Sequence, residues 1–444
     1  MIDTNPVEAL LQAAKRHGAD AADALLIRDE STSALIRCGT PEGIERSESV
    51  RLGLRVFRGQ RSASVSTTLL DQSAFEQLAE QACAMAQFVP EDRFGGLADN
   101  ALTGRFDASA LDLDDPTTLD MDTLLDRARE TESIALSHTG ITNSSGASAE
   151  QGRSTIVLGT SAGFIGAYTR TNHSLSTSVL AGSGATMQRD YAFHSATHLS
   201  DLENPTTIGN RAAEQAIARL NPTRPRTGTY DVIYHPRVAA SLIGHLISGI
   251  NGASIARGTS FLKDALHQKI LPNGMTLRDD PFLLRGRASR PFDAEACLPA
   301  ALNLVEDGLL QHWLLDSRSA RQLDLPSNAR ASRGTSGPPS PSTTNCFLSP
   351  GTLSPEDLRA DIKEGFMVTE LMGSSINMLT GDYSRGASGF MIRNGDIAEP
   401  VAEVTIAGNL RNILANLIAA NDLEFRSSLN APSVRVNGMS LAGA

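Results

Sequence analysis

The chain reads as an α+β protein with two domains, an N-terminal α+β domain over residues 1–222 and a C-terminal, mainly antiparallel β domain with helices over residues 228–444. Three observations carry this reading. The 444 residues are too many for one hydrophobic core of ordinary size. The apolar period runs helix, then antiparallel strands, then helix, which is the order of an α+β domain. In mid-chain, Asn221-Pro222-Thr223-Arg224-Pro225-Arg226-Thr227-Gly228 breaks both periods with two prolines and a glycine.

Val7, Leu10, Leu11 and Ala14 share helical spacing, and Gly18 is placed to stop that helix. Ala34, Ile36, Val50, Leu52, Leu54 and Val56 then alternate with polar residues, as strands with one buried face do. Arg58-Gly59-Gln60 predicts a hairpin turn into residues 62–67. From Asp71 the period returns to 3.6, with Phe75, Leu78, Ala82 and Met85 on one face. Residues 87–120, rich in Pro, Gly and Asp, predict an exposed connection. A helix over 121–136 follows, carrying Leu124, Leu125, Ala128 and Ile134. Short strands such as 154–159 and 163–170 come next, then a helix at about 204–220.

The second half opens with a strand, Tyr230–Tyr234, and a helix from Pro236 bearing Val238, Ala239, Leu242, Ile243, Leu246 and Ile247. Residues 332–342 (SRGTSGPPSPS) predict a mobile loop. Leu410, Ile413, Leu414, Leu417 and Ile418 predict an amphipathic helix near the C-terminus.

Composition narrows the function. Lys+Arg minus Asp+Glu is 39 − 50 = −11, and aromatic residues make up 5%. Both argue against direct nucleic-acid binding, which uses clustered cations and stacking platforms. No apolar run approaches the roughly 18 residues that span a bilayer, and the N-terminus lacks a signal-peptide pattern, so a cytoplasmic, membrane-free protein is expected. Cys38, Cys83, Cys297 and Cys346 are widely spaced, which indicates neither a disulfide framework nor a zinc ribbon.

Catalytic signatures are sparse. The chain has no P-loop, no G-x-S-x-G and no H-E-x-x-H. The Gly-rich run from Thr380 to Gly389 reads as a turn. His194 and His198, with Asp190 and Asp201 nearby, have i, i+4 spacing, but their surroundings are β-compatible, and surface or structural histidines are the favoured reading. His245 stands on the helix that opens the second domain with no metal ligand a turn before it.

A resemblance carries the functional expectation. Leu242-Ile243-Gly244-His245-Leu246, Ser260-Phe261-Leu262-Lys263-Asp264, Asp279-Asp280-Pro281, Thr344-Asn345, Asn377 to Ser384, Gly386 to Phe390, Ile406 to Leu410 and Pro432-Ser433 resemble the TldD/TldE (PmbA) metallopeptidase family, most closely its TldE/PmbA branch. The resemblance is strong over 228–444 and weak before it. In that family the TldD branch has an H-E-x-x-x-H zinc motif and a cysteine ligand near the C-terminus. Registered on the shared Gly-His, this chain has Ala240 at the first histidine, Ser241 at the glutamate and His245 at the second histidine, and residues 424–432 hold no cysteine. The resemblance therefore implies a chain without catalytic, cofactor-binding or metal residues of its own. It would work beside a zinc-bearing TldD-type catalytic subunit on extended peptides or unfolded segments, and form a homodimer when isolated. Two alternatives stay open: a self-sufficient zinc peptidase using His245 with His235 or His267, and a non-proteolytic binding or scaffold protein.

Overall fold

The computed structural model describes residues 2–444. Helix α1 (Asn5–Arg16) buries Val7, Leu10, Leu11 and Ala14, and Pro6 sits in its first turn, where a missing N–H leaves nothing unpaired. Strands β1 (Ala21–Arg37), β2 (Thr40–Arg58) and β3 (Arg61–Thr67) follow as an antiparallel meander. Helix α2 (Gln72–Ala86) is capped by Asp71. Its buried stripe steps from Leu78 to Ala82 to Ala86, so Met85 lies at the rim and is 43% exposed, not on the buried face.

After helix α3 (Met121–Leu136), strands β4 (Ile141–Thr160), β5 (Ile165–Ala181) and β6 (Gln188–Ala196) complete a six-stranded antiparallel sheet in the order β3-β2-β1-β4-β5-β6. The strands are much longer than their alternating segments suggest, because their polar middles continue the ladder between two separate apolar ends. At one end α1 and α2 cover a core around Val7, Leu54 and Phe75. At the other, α3 and helix α4 (Pro205–Ala218) cover Leu124, Leu175 and Ile208. The β1–β2 turn at Cys38-Gly39 has positive φ at both residues, and both N–H groups donate to the buried Glu132 carboxylate of α3, at 2.9 and 2.8 Å.

Residues 87–120 are not simply an exposed connection. Leu111 and Leu113 are buried, Phe106 stacks on Phe282 with centroids 4.3 Å apart, and the Phe106 N–H donates to Pro291 at 2.7 Å. Apolar residues hidden among Pro, Gly and Asp anchor this segment to the second half.

The second half begins with β7 (Gly228–Tyr234) and α5 (Pro236–Gly249). β7 runs parallel to Glu364–Ile376 and antiparallel to Val434–Ala442 in a second six-stranded sheet. Thr405–Ala407 also pairs with residues 440–442, so this sheet closes on itself around Val232, Phe366, Ile406 and Val436. A five-stranded sheet lies beside it, with Asn345–Leu348 antiparallel to Leu277–Asp280 and parallel to Leu429–Asn430. Most pairings are antiparallel; these two parallel pairs are the exceptions.

Two sequence expectations fail here. The helix from Leu410 ends at Ala415, and Leu417–Ala419 is a strand pairing with Val434–Val436. A short apolar run fits either period, and the sheet edge decides. The 332–342 segment is tied at its base by Ala331↔Pro341 and Ser332↔Ser340. Its Arg333 pairs with Asp23 of β1 at 2.5 Å, both side chains nearly fully buried, while Arg55 takes the other Asp23 oxygen, with Nε at 2.8 Å. Gly53 is required under this segment, because a Cβ there would lie 1.9 Å from the Thr335 carbonyl oxygen. Buried charge pairing overrides the flexibility that composition suggests.

Candidate functional site

Helix α5 opens at His235, whose Nδ1 accepts the Arg237 N–H at 3.3 Å, with Pro236 in the first turn. Val238, Ala239, Leu242, Ile243 and Leu246 anchor it in the core. Its other side faces the 422–431 segment, and a Cβ at Gly244 would meet Leu429 at 3.6 Å. Between them lies a cleft of about 540 Å³, lined by His235, Arg237, Ala240, Asp422, Glu424, Arg426 and, from the first sheet and α4, Tyr191, Phe193 and Arg211.

The three registered positions do not converge. Ala240 lines the cleft. Ser241 turns back on its own helix and donates to the Val238 carbonyl at 2.7 Å. His245 packs edge-on against Tyr383, centroids 5.9 Å apart, and its Nε2 is buried without a hydrogen-bond partner. Burial lowers the His245 pKa, and the Arg385 charge lowers it further. His235 lines the cleft but sits ten residues before His245, about 15 Å along the axis. His267 occupies a turn with φ 61°. Among the described residues, no three or more His, Cys, Asp or Glu side chains gather as a metal site. Of the registered positions, Ala240 supplies no ligand, and residues 422–431 contain no cysteine to supply a thiolate.

The arginines that line the cleft are tied to carboxylates in its wall. Arg237 donates to Asp190 at 2.7 Å and to Gln215 at 3.2 Å, and its guanidinium lies 3.9 Å over the Tyr191 ring. Arg211 grips Glu203 through two bonds of 2.8 and 2.9 Å, and Arg426 adds a third at 3.1 Å. Burial works to raise the Glu203 pKa, but these two guanidiniums overcome it and hold it at about 2. Burial lowers the His235 pKa, against the opposing charges of Asp422 and Glu424.

His194 and His198 are not a pair. Strand β6 ends at Ala196, and the two diverge. His194 accepts the Glu203 N–H on Nδ1 at 3.1 Å, and burial lowers its pKa. His198 turns to the Asp112 carbonyl at 2.9 Å, near Asp115, which also contacts His173 at 3.1 Å. Asp190 serves Arg219 and Arg237, and Asp201 serves Arg285. The 380–389 run is a turn at Gly381 leading into strand Asp382–Arg393.

A second cleft of about 410 Å³ shares Ser427 with the first and continues along β6, lined by residues 194–197, 283–287, Asn345 and Phe425. β6 is an edge strand, and among the described residues its main chain bonds to no strand but β5. Sequence reasoning passed over both this groove and the Arg333–Asp23 contact. Their residues lie hundreds of positions apart, with no spacing to mark them.

Fold and groove define an α+β protein whose two halves meet along a free sheet edge. Three models of the PmbA/TldA metallopeptidase match: domain 1 over residues 22–86, the central domain over 114–220 and the C-terminal domain over 227–443. The first two share the six-stranded sheet. Metalloprotease PmbA of Escherichia coli O157:H7 is 36% identical over 426 residues, covering 96% of this chain and 92% of that protein. A PmbA homolog of Haemophilus influenzae is 34% identical over 98% of this chain and 95% of its own length. Among solved structures, TldE from Thermococcus kodakarensis superposes with TM-score 0.84 at 18% identity, over 99% of this chain and 100% of that one. A Bacteroides thetaiotaomicron protein described as a candidate DNA gyrase modulator does so with TM-score 0.91 at 26% identity, over the full length of both. The chain belongs to the PmbA/TldD metallopeptidase family, on its PmbA/TldE side.

Proposed function

We propose that this chain is the non-catalytic, TldE-type subunit of a cytoplasmic metallopeptidase complex. A TldD-type partner would supply the zinc and the hydrolytic step, and extended peptides or unfolded segments would be the substrate. The observation that carries this reading is the cleft between α5 and residues 422–431. Ala240 faces a segment without cysteine, and the lining arginines Arg211 and Arg237 are held by Glu203 and Asp190 in pairs that neither bind zinc nor activate water. The free edge of β6 supports the substrate class, since an extended segment adds to such an edge through main-chain hydrogen bonds that tolerate many sequences. In this reading the chain is organised as units 1–222 and 228–444, and the isolated protein self-associates until its partner replaces the second copy. Metal analysis of the purified chain, with peptide cleavage assayed alone and after mixing with the partner, tests the proposal.

A further inference from the structure

Nearly every buried arginine at the junction of the two halves meets a carboxylate: Arg55 and Arg333 share Asp23, Arg330 meets Asp279, and Arg219 and Arg237 share Asp190. Arg170, Arg287 and Arg290 depart from this pattern. They form no salt bridge among the described residues, although the chain carries a net charge of −11. Arg170 donates to the main-chain carbonyl of Arg287, and Arg287 donates to the Asn172 side-chain oxygen at 2.5 Å. Both acceptors are neutral, so two adjacent, half-buried guanidiniums have no carboxylate partner.

Arg287 lines the second cleft beside β6. The one carboxylate on that lining, Asp201, is engaged by both its oxygens with Arg285 at 3.1 Å. Ser195 brings a hydroxyl to the same lining, while the Thr197 and Ser427 hydroxyls donate to the Arg285 and Leu429 carbonyls. His194 lines it too, and because its Nδ1 is an acceptor, its Nε2–H is the donor. Burial, then the neighbouring Arg170 charge, lowers the Arg287 pKa, so an anion beside it would relieve a real electrostatic cost.

We propose that this cleft is a carboxylate-binding subsite, in which Arg287, backed by Arg170, receives a carboxylate of an extended peptide lying along β6. The inference rests on the peptide-handling reading above and deepens it by naming a chemical group. The acidic protein as a whole favours neutral or basic peptides at long range, whereas this subsite selects a carboxylate on contact. The carboxylate comes either from a free peptide C-terminus or from an Asp or Glu side chain.

The test uses the full chain alone, in EDTA, with three dye-labelled unstructured peptides of one sequence. The first ends in a free carboxylate, the second in a carboxamide, and the third in a carboxamide with one internal Gln replaced by Glu. Anisotropy is expected to show the first or the third binding about tenfold more tightly than the second, the scale of one charge-assisted bidentate contact. Whichever is preferred names the source. Arg287→Gln is expected to abolish the difference and Arg287→Lys to keep part of it, with thermal unfolding confirming that both variants fold. Should Arg287→Gln not fold, Arg170→Gln is expected to reduce the same difference. Equal binding of the three peptides, no binding of any, or a preference unmoved by these variants would overturn the proposal. Because EDTA is present and binding is the readout, zinc found in the chain would count against the subunit assignment and leave this measurement intact.

Discussion

Ala240 and His245 stand five residues apart on α5 and face different surroundings. Ala240 lines the charged cleft, while the His245 ring is packed against Tyr383 inside the second half. On a helix of about 100° per residue these positions are about 140° apart, so placing two ligands there on one ion would require a distorted helix. In the proposed reading His245 is a packing residue. His245→Ala is expected to lower unfolding stability by about 1–3 kcal/mol, as removal of a half-buried ring does, while cleavage by the partner-bound complex stays within about twofold. Loss of turnover in a variant of unchanged stability would contradict this.

Asp23 is shared by Arg55 and Arg333, which arrive from opposite halves of the chain. Asp23→Ala leaves two buried guanidiniums without their ion-pair partner and is expected to cost about 3–5 kcal/mol. Arg333→Met, which leaves the Asp23–Arg55 pair intact, should cost clearly less. Denaturant unfolding of the two variants would reveal the order, and equal losses would mean that Arg55 alone does not neutralise Asp23.

Gly53→Ala probes the same junction through the backbone. Its new Cβ would overlap the Thr335 carbonyl, and since both atoms belong to paired or anchored main chain, the 333–339 segment must lift. A stability loss of about 1–3 kcal/mol is expected, with faster protease cutting in 333–339. Unchanged cutting would show that the segment is not seated on β2.

Glu295 gives a pH signature. Burial, then the charge of neighbouring Asp293, raises its pKa to about 7, against the opposing pull of Arg55 and the Ser317 N–H. A carboxyl with a raised folded-state pKa stays protonated in the native state after the unfolded chain has ionised. Its contribution is therefore full below the unfolded value of about 4.5 and is lost as pH rises through about 7. Glu295→Gln is expected to stabilise the protein at pH 8 relative to pH 5 by on the order of 3 kcal/mol. Parallel stability–pH curves for variant and wild type would refute it.

The elements that could be read in advance were those where a single period covers a buried face, as in α1 with Val7, Leu10, Leu11 and Ala14. Where strands are polar in the middle, as in β4 and β5, alternation marks only their apolar ends, and their true length follows from pairing with neighbours far off in sequence. The register that sets Ala240, Ser241 and His245 against the zinc motif was legible through family resemblance alone. Arg287 and Arg333 were not: their roles depend on a missing carboxylate and on Asp23, and neither leaves a local pattern.

The central claim is that the cleft between α5 and residues 422–431 holds no zinc. The most direct measurement is the zinc content of the purified, zinc-equilibrated chain by mass spectrometry, paired with cleavage of an unfolded peptide by the chain alone and with a TldD-type partner. The account expects well under 0.1 zinc per chain, no cleavage alone and cleavage upon mixing. One zinc per chain together with peptide cleavage by the chain alone would contradict it.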